Sequence, residues 1–257
     1  MGDAPIQSVD RLFDIIETLQ ARNGAGVSEL ASSMDMPKST VHGHLSSLEK
    51  RGYVEQLKDD TYHLSLKFLT LGGKVRHQRT IFNEVEPLLA EIAEETGERV
   101  NYVIESRGDL VFVGSTMGKD GIRTEVDIGY RGAIHDTPEG KITLACLPKQ
   151  RRECLLDRID FPIGNSVGRA AFTAELEKLC EEKIAHGNKT IIKNVSTVSA
   201  PIIDNKDVFY GTVVVAGPTL RFTPDRIDDI TEILRNKIGK LTIDLSYDAG
   251  APTAEEA

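Results

Sequence analysis

Two short runs of the chain carry side chains whose types and spacing could do chemistry, and each stands where a helix should begin. The first run follows Pro37 and offers one cation and several hydrogen-bond donors: Lys38, Ser39, Thr40, His42 and His44. Ammonium, hydroxyl and imidazole groups near a helix start can donate to phosphate oxygens and to base edges. This run therefore predicts contacts to a nucleic acid.

The second run, Thr137-Pro138-Glu139, has the residue order of a well-capped helix start. Threonine is a good N-cap, proline suits the first helical position, and an acid in the first turn complements the helix dipole. The free amides of such a turn can hold an anionic or carbonyl group. The run predicts either a small-molecule site or a purely structural helix start.

Three helices and a hairpin surround the first run. Apolar residues at three- and four-residue intervals predict a helix over 8–22, with a stripe of Val9, Leu12, Phe13, Ile16 and Leu19. A second, short helix opens at 27–31 with Ser28 as its N-cap, and a third starts with Pro37 in its first position and ends at 51–52. Strand-like runs at 53–57 and 61–64 flank a tight turn at 58–60. This order predicts a winged helix-turn-helix over residues 1–65.

Other basic or polar residues of this domain are candidates for the DNA backbone: Lys50, Arg51, Lys58 and Tyr62. The whole chain nevertheless has a formal net charge of −9, which is unfavourable for binding phosphates. Acids also flank the reading helix and the wing, at Glu49, Asp59 and Asp60. We therefore expect modest affinity per domain, and an oligomer that places two reading helices on one duplex.

The rest of the chain is predicted to alternate between strands and helices. An apolar linker helix is predicted over 66–79 as the natural place for two chains to pair, then an α+β domain over 80–247 and a loose tail over 248–257. Strands are predicted at 100–105, 110–115, 122–130, 195–203 and 209–216. Helices are predicted at 81–96, 139–147, 149–159, 173–186 and 223–244.

The cysteine pattern and the absence of long apolar runs predict a cytoplasmic protein. Cys146, Cys154 and Cys180 form no C-x-x-C pair, which argues against a disulfide framework or a zinc site. Residues 1–10 lack the apolar core of a signal peptide, and no run approaches the ~20 apolar residues of a membrane span. Metal-ligand spacing and phosphate-binding glycine loops are absent, so we expect no metal and no cofactor.

One family pattern is carried by the residues at 6–11, 13–16, 28–31, 36–42, 52–54, 62–64, 66–69, 200–202 and 211–218, together with Arg221. Through these residues the sequence resembles the IclR family of transcriptional regulators, of an archaeal or haloarchaeal type. The resemblance implies a winged helix followed by a GAF-like (profilin-like) effector-binding domain. It also implies a homodimer or dimer of dimers, a double-stranded DNA operator and a small organic or sugar acid as effector.

The resemblance further implies which residues line the effector pocket. The helix start would form one wall with His135, Thr137, Pro138, Glu139 and Gly140. A second wall would come from Val195 and Thr197, which point the same way on one strand, with Thr124 and Val126 as weaker candidates.

Two departures from the family pattern alter this pocket. Family members usually have small residues where this chain has Asp136, Pro138 and Glu139. A carboxylate at Glu139 would oppose a carboxylate ligand unless an Arg or Lys neutralises it. The segment at 188–194 is also short and basic, where the family usually has an acid-rich stretch.

Two other readings of the chain remain open at this point. An architectural DNA-binding protein would use the second domain for oligomerisation alone. An enzyme would need a nucleophile and a base, for which Cys146 and His135 are candidates, although Cys146 lies in an apolar stretch typical of a buried, inert thiol. We therefore predict no catalytic residues.

Overall fold

A computed structural model describes residues 6–78, 81–124, 126–164, 166–188 and 191–247. The chain divides into two compact units, Met1–Gln78 and Arg79–Ala257. The predicted tail at 248–257 lies outside the described residues. None of the helices within the described ranges is long and apolar enough to cross a membrane.

The N-terminal unit contains four helices and a small antiparallel sheet. Its elements are α1 (Gln7–Arg22), β1 (Ala25–Gly26), α2 (Val27–Ser33), α3 (Lys38–Lys50), β2 (Val54–Gln56), β3 (Thr61–Leu64) and α4 (Lys67–Gln78). The strands pair in the order β1-β3-β2. A core of aliphatic side chains from α1, α2 and α3 packs against β2 and β3, so the hairpin is held on the three-helix unit.

Helix boundaries in this unit differ from the prediction in detail. Gly26, not Ser28, precedes α2, and its N–H donates to the Glu29 carboxylate at 2.8 Å. Pro37 stands just before α3 and not at its first helical position. On α1, Val9 and Phe13 are exposed while Ile15 and Leu19 are buried, so the buried stripe is rotated from the predicted one.

The C-terminal unit is a six-stranded antiparallel sheet with helices on both faces. Its elements are α5 (Phe82–Thr96), β4 (Arg99–Ser106), β5 (Asp109–Met117), β6 (Arg131–Ala133), α6 (Pro138–Cys146), α7 (Lys149–Leu156), α8 (Arg169–Glu182), β7 (Ala185–Gly187), β8 (Val195–Ile203), β9 (Phe209–Pro218), a 3-10 turn (Thr219–Arg221) and α9 (Pro224–Tyr247). The strand order is β6-β5-β4-β9-β8-β7. One core joins α5 and α9 to the sheet, and the other joins α6, α7 and α8 to its opposite face.

Two predicted elements of this unit are wrong. The run at 122–130 forms no strand among its described residues; it turns back at Asp127, whose carbonyl accepts from the Tyr130 N–H at 3.0 Å. The helix predicted at 173–186 is α8 (Arg169–Glu182), which begins and ends four residues earlier than predicted. Lys183 adopts a left-handed conformation that stops α8, and His186 then lies in the edge strand β7.

Candidate functional sites

The outer face of α3 carries most of the predicted DNA-reading side chains. Val41, Leu45 and Leu48 face the core, which turns the other sides of the helix outward. Lys38, Ser39 and His42 are exposed, and Thr40 and His44 are half-buried. The structure thus leaves the polar residues of the first two turns of α3 exposed or half-buried around the sides of the helix that do not face the core.

The turn between α2 and α3 sets the position of that surface. Asp35 has a φ of 47°, and the Met36 N–H donates to the Ala31 carbonyl at 3.0 Å. The buried side chain of Met36 closes the turn against the core. This arrangement fixes the start of α3, which is the part of a second helix that enters a major groove in helix-turn-helix proteins.

The remaining predicted DNA contacts fall into two groups. Lys50, Arg51 and Lys58 are exposed, at the end of α3 and in the wing turn. Tyr62 is not available, because only 5% of it is exposed and its ring packs in the core of the unit. Its predicted role as a DNA contact is therefore wrong; on a strand of alternating orientation, Tyr62 faces inward.

The wing turn carries a fixed negative charge beside Lys58. The Asp59 carboxylate accepts from the Thr61 hydroxyl at 2.6 Å and from the Thr61 N–H at 3.2 Å. These hydrogen bonds lower the pKa of Asp59 below its usual value. The negative charge of Asp59 weakens the attraction of the wing turn for phosphate. The surface of α3 is therefore more favourable for binding DNA.

A cavity of about 370 Å³, including its mouth, lies in the C-terminal unit between the sheet and the α6 helix start. The residues that line it come from β4, β5, α6, β8, β9 and two loops: Arg99, Asn101, Phe112, Thr124, Val126, Glu139, Ile191, Ile192, Val195, Thr197, Val214 and Ala216. The part of this space that could hold the centre of a water molecule is about 30 Å³, so the enclosed part of the cavity is small. The cavity is mainly apolar, with a few polar groups that could orient a ligand.

Predicted pocket residues divide between this cavity and its support. Thr124, Val126, Glu139, Val195 and Thr197 line the cavity. The other four predicted residues, His135, Thr137, Pro138 and Gly140, are not among its lining residues. Thr137 is the N-cap of α6 and accepts from the Gly140 N–H at 3.2 Å, so it holds the helix that carries Glu139.

Arg99 is one of seven cavity residues that sequence reasoning missed, and it is the charged one among them. Its side chain is only 7% exposed, and its guanidinium donates to the Val126 carbonyl at 2.8 Å and to Asn101 Oδ1 at 3.3 Å. Its acidic neighbour, Asp127, lies 3.6 Å away and is 87% exposed. The alternation of Arg99 and Asn101 with the buried Val100 and Tyr102 was the available signal. The wall of the cavity therefore contains a cation whose charge is only weakly compensated by the exposed Asp127 carboxylate.

Glu139 is the acidic residue of the cavity wall, and its surroundings differ from those of Arg99. The residue is 2% exposed, and its Oε2 accepts from the Thr197 hydroxyl at 3.1 Å. Burial raises the pKa of the Glu139 carboxyl above its usual value of 4.5, against the smaller, opposite effect of its hydrogen bonds. No basic side chain within the described ranges forms an ion pair with it, so no counter-charge offsets the effect of burial.

This environment makes the stability of the protein depend on pH at Glu139. A carboxyl whose pKa is raised on folding stabilises the folded state at low pH, and that contribution is lost as pH rises above 4.5 toward the folded-state pKa. We therefore expect Glu139→Gln to melt at a higher temperature than the unmodified protein at pH 7.5, by roughly 2–4 °C for each kcal/mol gained. The difference should shrink toward pH 4.5, as measured by calorimetry.

The matched control for this change is Glu175→Gln, because Glu175 is 42% exposed and pairs with Lys141 at 2.7 Å. Relative to the unmodified protein, Glu175→Gln should not become more stable as the pH rises. The contradicting result is a stability of Glu139→Gln, relative to the unmodified protein, that is lower at pH 7.5 than at pH 4.5. It would show that folding favours the ionised form of the Glu139 carboxyl.

The candidate nucleophile Cys146 lies at the end of α6 and is not paired with the candidate base. Burial, with the neighbouring thiol of Cys180, raises the pKa of Cys146 to about 12. His135 lies 3.5 Å from the Asp136 carboxylate instead. Among the described residues, no group of three or more His, Cys, Asp or Glu side chains could hold a metal ion.

Thiol labelling checks this account of Cys146. The thiolate is the reactive form, so a thiol with a pKa near 12 should react with iodoacetamide at pH 8 far more slowly than the exposed Cys154. We expect peptide mass spectrometry to find Cys154 labelled first, and Cys146 labelled at a comparable rate only after unfolding in guanidinium. Fast labelling of native Cys146 would reopen the nucleophile hypothesis.

Comparisons with known proteins agree with the two-part architecture. The family model "Bacterial transcriptional regulator IclR C-terminal" matches residues 73–242, and "IclR helix-turn-helix domain" matches residues 8–58. The chain is 28% identical over 225 residues to the probable HTH-type transcriptional regulator ArcR of Halobacterium salinarum, with 84% of each chain covered. These matches confirm the resemblance to the IclR family, and the Halobacterium relative is consistent with its archaeal type.

Solved structures share the fold. The Thermotoga maritima IclR has a TM-score of 0.78 at 24% identity, over 94% of this chain and 99% of that one. An IclR homolog from Microbacterium hydrocarbonoxydans, complexed with 4-hydroxybenzoate, has a TM-score of 0.74 at 16% identity, over 93% and 99%. The predicted fold class, a helix-turn-helix unit followed by an α+β unit, is thereby confirmed.

Proposed function

Because the chain belongs to the IclR family of transcriptional regulators, we propose that its N-terminal unit binds a specific DNA operator and that a small organic acid in the C-terminal cavity modulates this binding. The observation that carries the proposal is a cavity with a buried cation, in a protein that also presents an accessible reading helix. The protein would act in the cytoplasm, where its DNA target lies, and would bind without catalysing a reaction.

The DNA-binding part of the proposal rests on the surface of α3. Lys38, Ser39, Thr40, His42 and His44 would contact base edges and phosphates, while Lys50, Arg51 and Lys58 would contact the backbone. The overall charge of −9 means that these few cations must suffice for each unit. Two such units on one duplex would double the number of contacts.

The effector part rests on the composition of the cavity. Arg99 offers a charge-assisted site for a carboxylate, and Phe112, Val126 and Val214 offer apolar walls. One structural relative was solved with 4-hydroxybenzoate, which is an organic acid. An architectural role for the second unit alone gives no reason for a buried arginine beside a cavity.

Exposed apolar side chains support the proposal of a dimer. Phe13 on α1 and Leu69 and Val75 on α4 are 55%, 71% and 59% exposed, respectively. Within the described residues 6–78, no element covers them, and a second copy of this chain would bury them. The coupling of the effector site to DNA would then act through the geometry of the paired units, by about 1–3 kcal/mol.

Disruption of this surface tests the dimer. We expect Leu69→Lys to shift the protein toward monomers in light scattering after size-exclusion chromatography, because it places a charge where apolar burial would stabilise association. Leu220→Lys is the control, since Leu220 is 95% exposed in the C-terminal unit. A Leu69→Lys variant with an unchanged mass would exclude this face as the interface.

A thermal-shift screen tests the proposed function as a whole. We expect at least one compound from a panel of sugar acids, aromatic acids and short keto and hydroxy acids to stabilise the protein in a dose-dependent way, because a ligand stabilises the state it binds. The same compound should change the retardation of DNA from upstream of the gene. Retardation that no compound of the panel alters, together with no thermal shift, would favour the architectural role.

A further inference from the structure

The register of the sheet places the polar residues of the cavity in one row. Arg99 on β4 pairs with Ala216 on β9, and Ala216 pairs with Thr197 on β8. Directly paired residues share a face of the sheet, so the three side chains point into the same space. Two strand spacings separate the backbones of Arg99 and Thr197 by about 10 Å. The cavity therefore has two polar ends with a small residue between them.

The first end of the row is cationic and incompletely paired. The hydrogen bonds of the Arg99 guanidinium use Nε and Nη2, and within the described ranges Nη1 donates to no residue. Asn101 Oδ1 accepts from both Arg99 and the Ser115 hydroxyl, at 2.9 Å for the latter. The Asn101 amide group is thereby oriented with its NH2 remaining for a ligand. A guanidinium N–H and an amide N–H suit the two oxygens of a carboxylate.

Among the described residues, the second end of the row has hydrogen-bonding groups but no cation. Thr197 and Glu139 are hydrogen-bonded to each other, and both are buried. A second carboxylate placed here would meet the Glu139 carboxyl without a compensating charge. A hydroxyl or keto oxygen would instead find a donor and an acceptor. Burial raises the pKa of Glu139 above its usual value, which makes its carboxyl easier to protonate beside such an oxygen.

The middle of the row is apolar and narrow. Ala216 lies between the two ends, and Val214 lies beside it on the same strand and face. Phe112 and Val126 close the space from β5 and the loop that follows it. A short hydrocarbon body fits these walls, whereas hydroxyl groups along the body would lack partners there.

Building on the proposed effector function, we propose that the cavity selects a small monocarboxylate with a hydroxyl or keto oxygen at the far end of a short apolar body. The carboxylate binds Arg99 and Asn101, and the distal oxygen binds Glu139 and Thr197. Dicarboxylates and polyhydroxylated sugar acids are excluded, the former by the second carboxyl end and the latter by the apolar middle.

Calorimetric titration of the full chain with three matched compound series tests this assignment. The first series is ω-hydroxyalkanoates of about four to six carbons, chosen for the spacing of the two ends. The second lacks the hydroxyl, and the third replaces the carboxylate by an amide. We expect the hydroxy acid to bind best, the amide about 10-fold or more weakly, and the deoxy acid about 5-fold more weakly.

Variants assign each preference to its residue. In Arg99→Met the preference for acid over amide should disappear, and in Glu139→Ala the preference for the hydroxyl should disappear. Glu139→Gln should keep the hydroxyl preference. The matched controls are Arg131→Met, which removes an exposed arginine paired with Asp109, and Glu175→Gln. Both should bind all three series as the unmodified protein does.

One further variant guards against loss of folding at Arg99. Ala216→Leu leaves both polar ends intact and fills the middle, so it should abolish binding of every series while the protein remains folded by circular dichroism. The inference is overturned if no hydroxy acid binds the unmodified protein, or if Arg99→Met, when folded, keeps the acid preference. Unaltered binding to Ala216→Leu would also overturn it. In any of these cases, a thermal shift and altered DNA retardation with another metabolite would leave the proposed function standing.

Discussion

A variant that carries both Lys38→Ala and Thr40→Ala should lose at least about 100-fold in affinity for operator DNA. Lys38 is exposed and Thr40 half-buried at the start of α3, and each hydrogen bond to a charged phosphate contributes about 1.5–3 kcal/mol. In the proposed dimer, the second reading helix adds to the loss. Fluorescence anisotropy with a labelled operator fragment measures it, and the dependence of affinity on salt should also become shallower.

The matched control for this loss is Lys206→Ala, which removes one exposed lysine from the C-terminal unit. It changes the net charge by the same amount as Lys38→Ala. Equal losses in the two cases would mean that the charge of the whole protein, and not the surface of α3, governs DNA binding. The double variant should still bind its effector, because its substitutions lie in the other unit.

The second large effect is expected from Gly140→Ala. A Cβ atom at Gly140 would lie 2.3 Å from the carbonyl oxygen of Ile134, which is backbone and cannot swing aside. Ile134 is itself buried in the core that supports α6. We expect the C-terminal unit to lose about 2 kcal/mol or more, since overpacking typically costs 1–3 kcal/mol. Calorimetry should show a lower melting temperature, and effector binding should weaken as Glu139 moves.

Gly239→Ala is the matched control, because a Cβ there has no atom within 4 Å. Gly239 lies inside α9, where alanine is favoured over glycine by roughly 0.5–1 kcal/mol. The two substitutions should therefore have opposite signs. A Gly140→Ala variant as stable as the control would show that the loop before α6 can move away.

Local pattern was sufficient to predict most helices and strands of both units. The spacing of Val41, Leu45 and Leu48 identifies the buried face of α3, and the alternating strands on both sides of the wing turn identify the hairpin. The order of Thr137 and Pro138 identifies the start of α6. In each case, the residues that determine the element are close together in the chain.

Contacts between distant segments account for what the sequence did not reveal. Arg99 becomes a cavity residue only through its pairing with Ala216, more than a hundred positions away, and through the carbonyl of Val126. The run at 122–130 looked like a strand because its apolar residues alternate, but it turns back to pack against β5. Tyr62 looked available because wings are exposed, whereas its strand turns the ring inward.

Titration of operator DNA with and without a bound organic acid, in the unmodified protein and in Arg99→Met, tests the central claim most directly. The account predicts that a ligand found by calorimetry changes the operator Kd of the unmodified protein by about 5-fold or more. Arg99→Met should bind the operator as well as the unmodified protein without ligand and should not respond to the ligand. An operator Kd that stays constant at saturating ligand, or a response that persists in Arg99→Met, would contradict it.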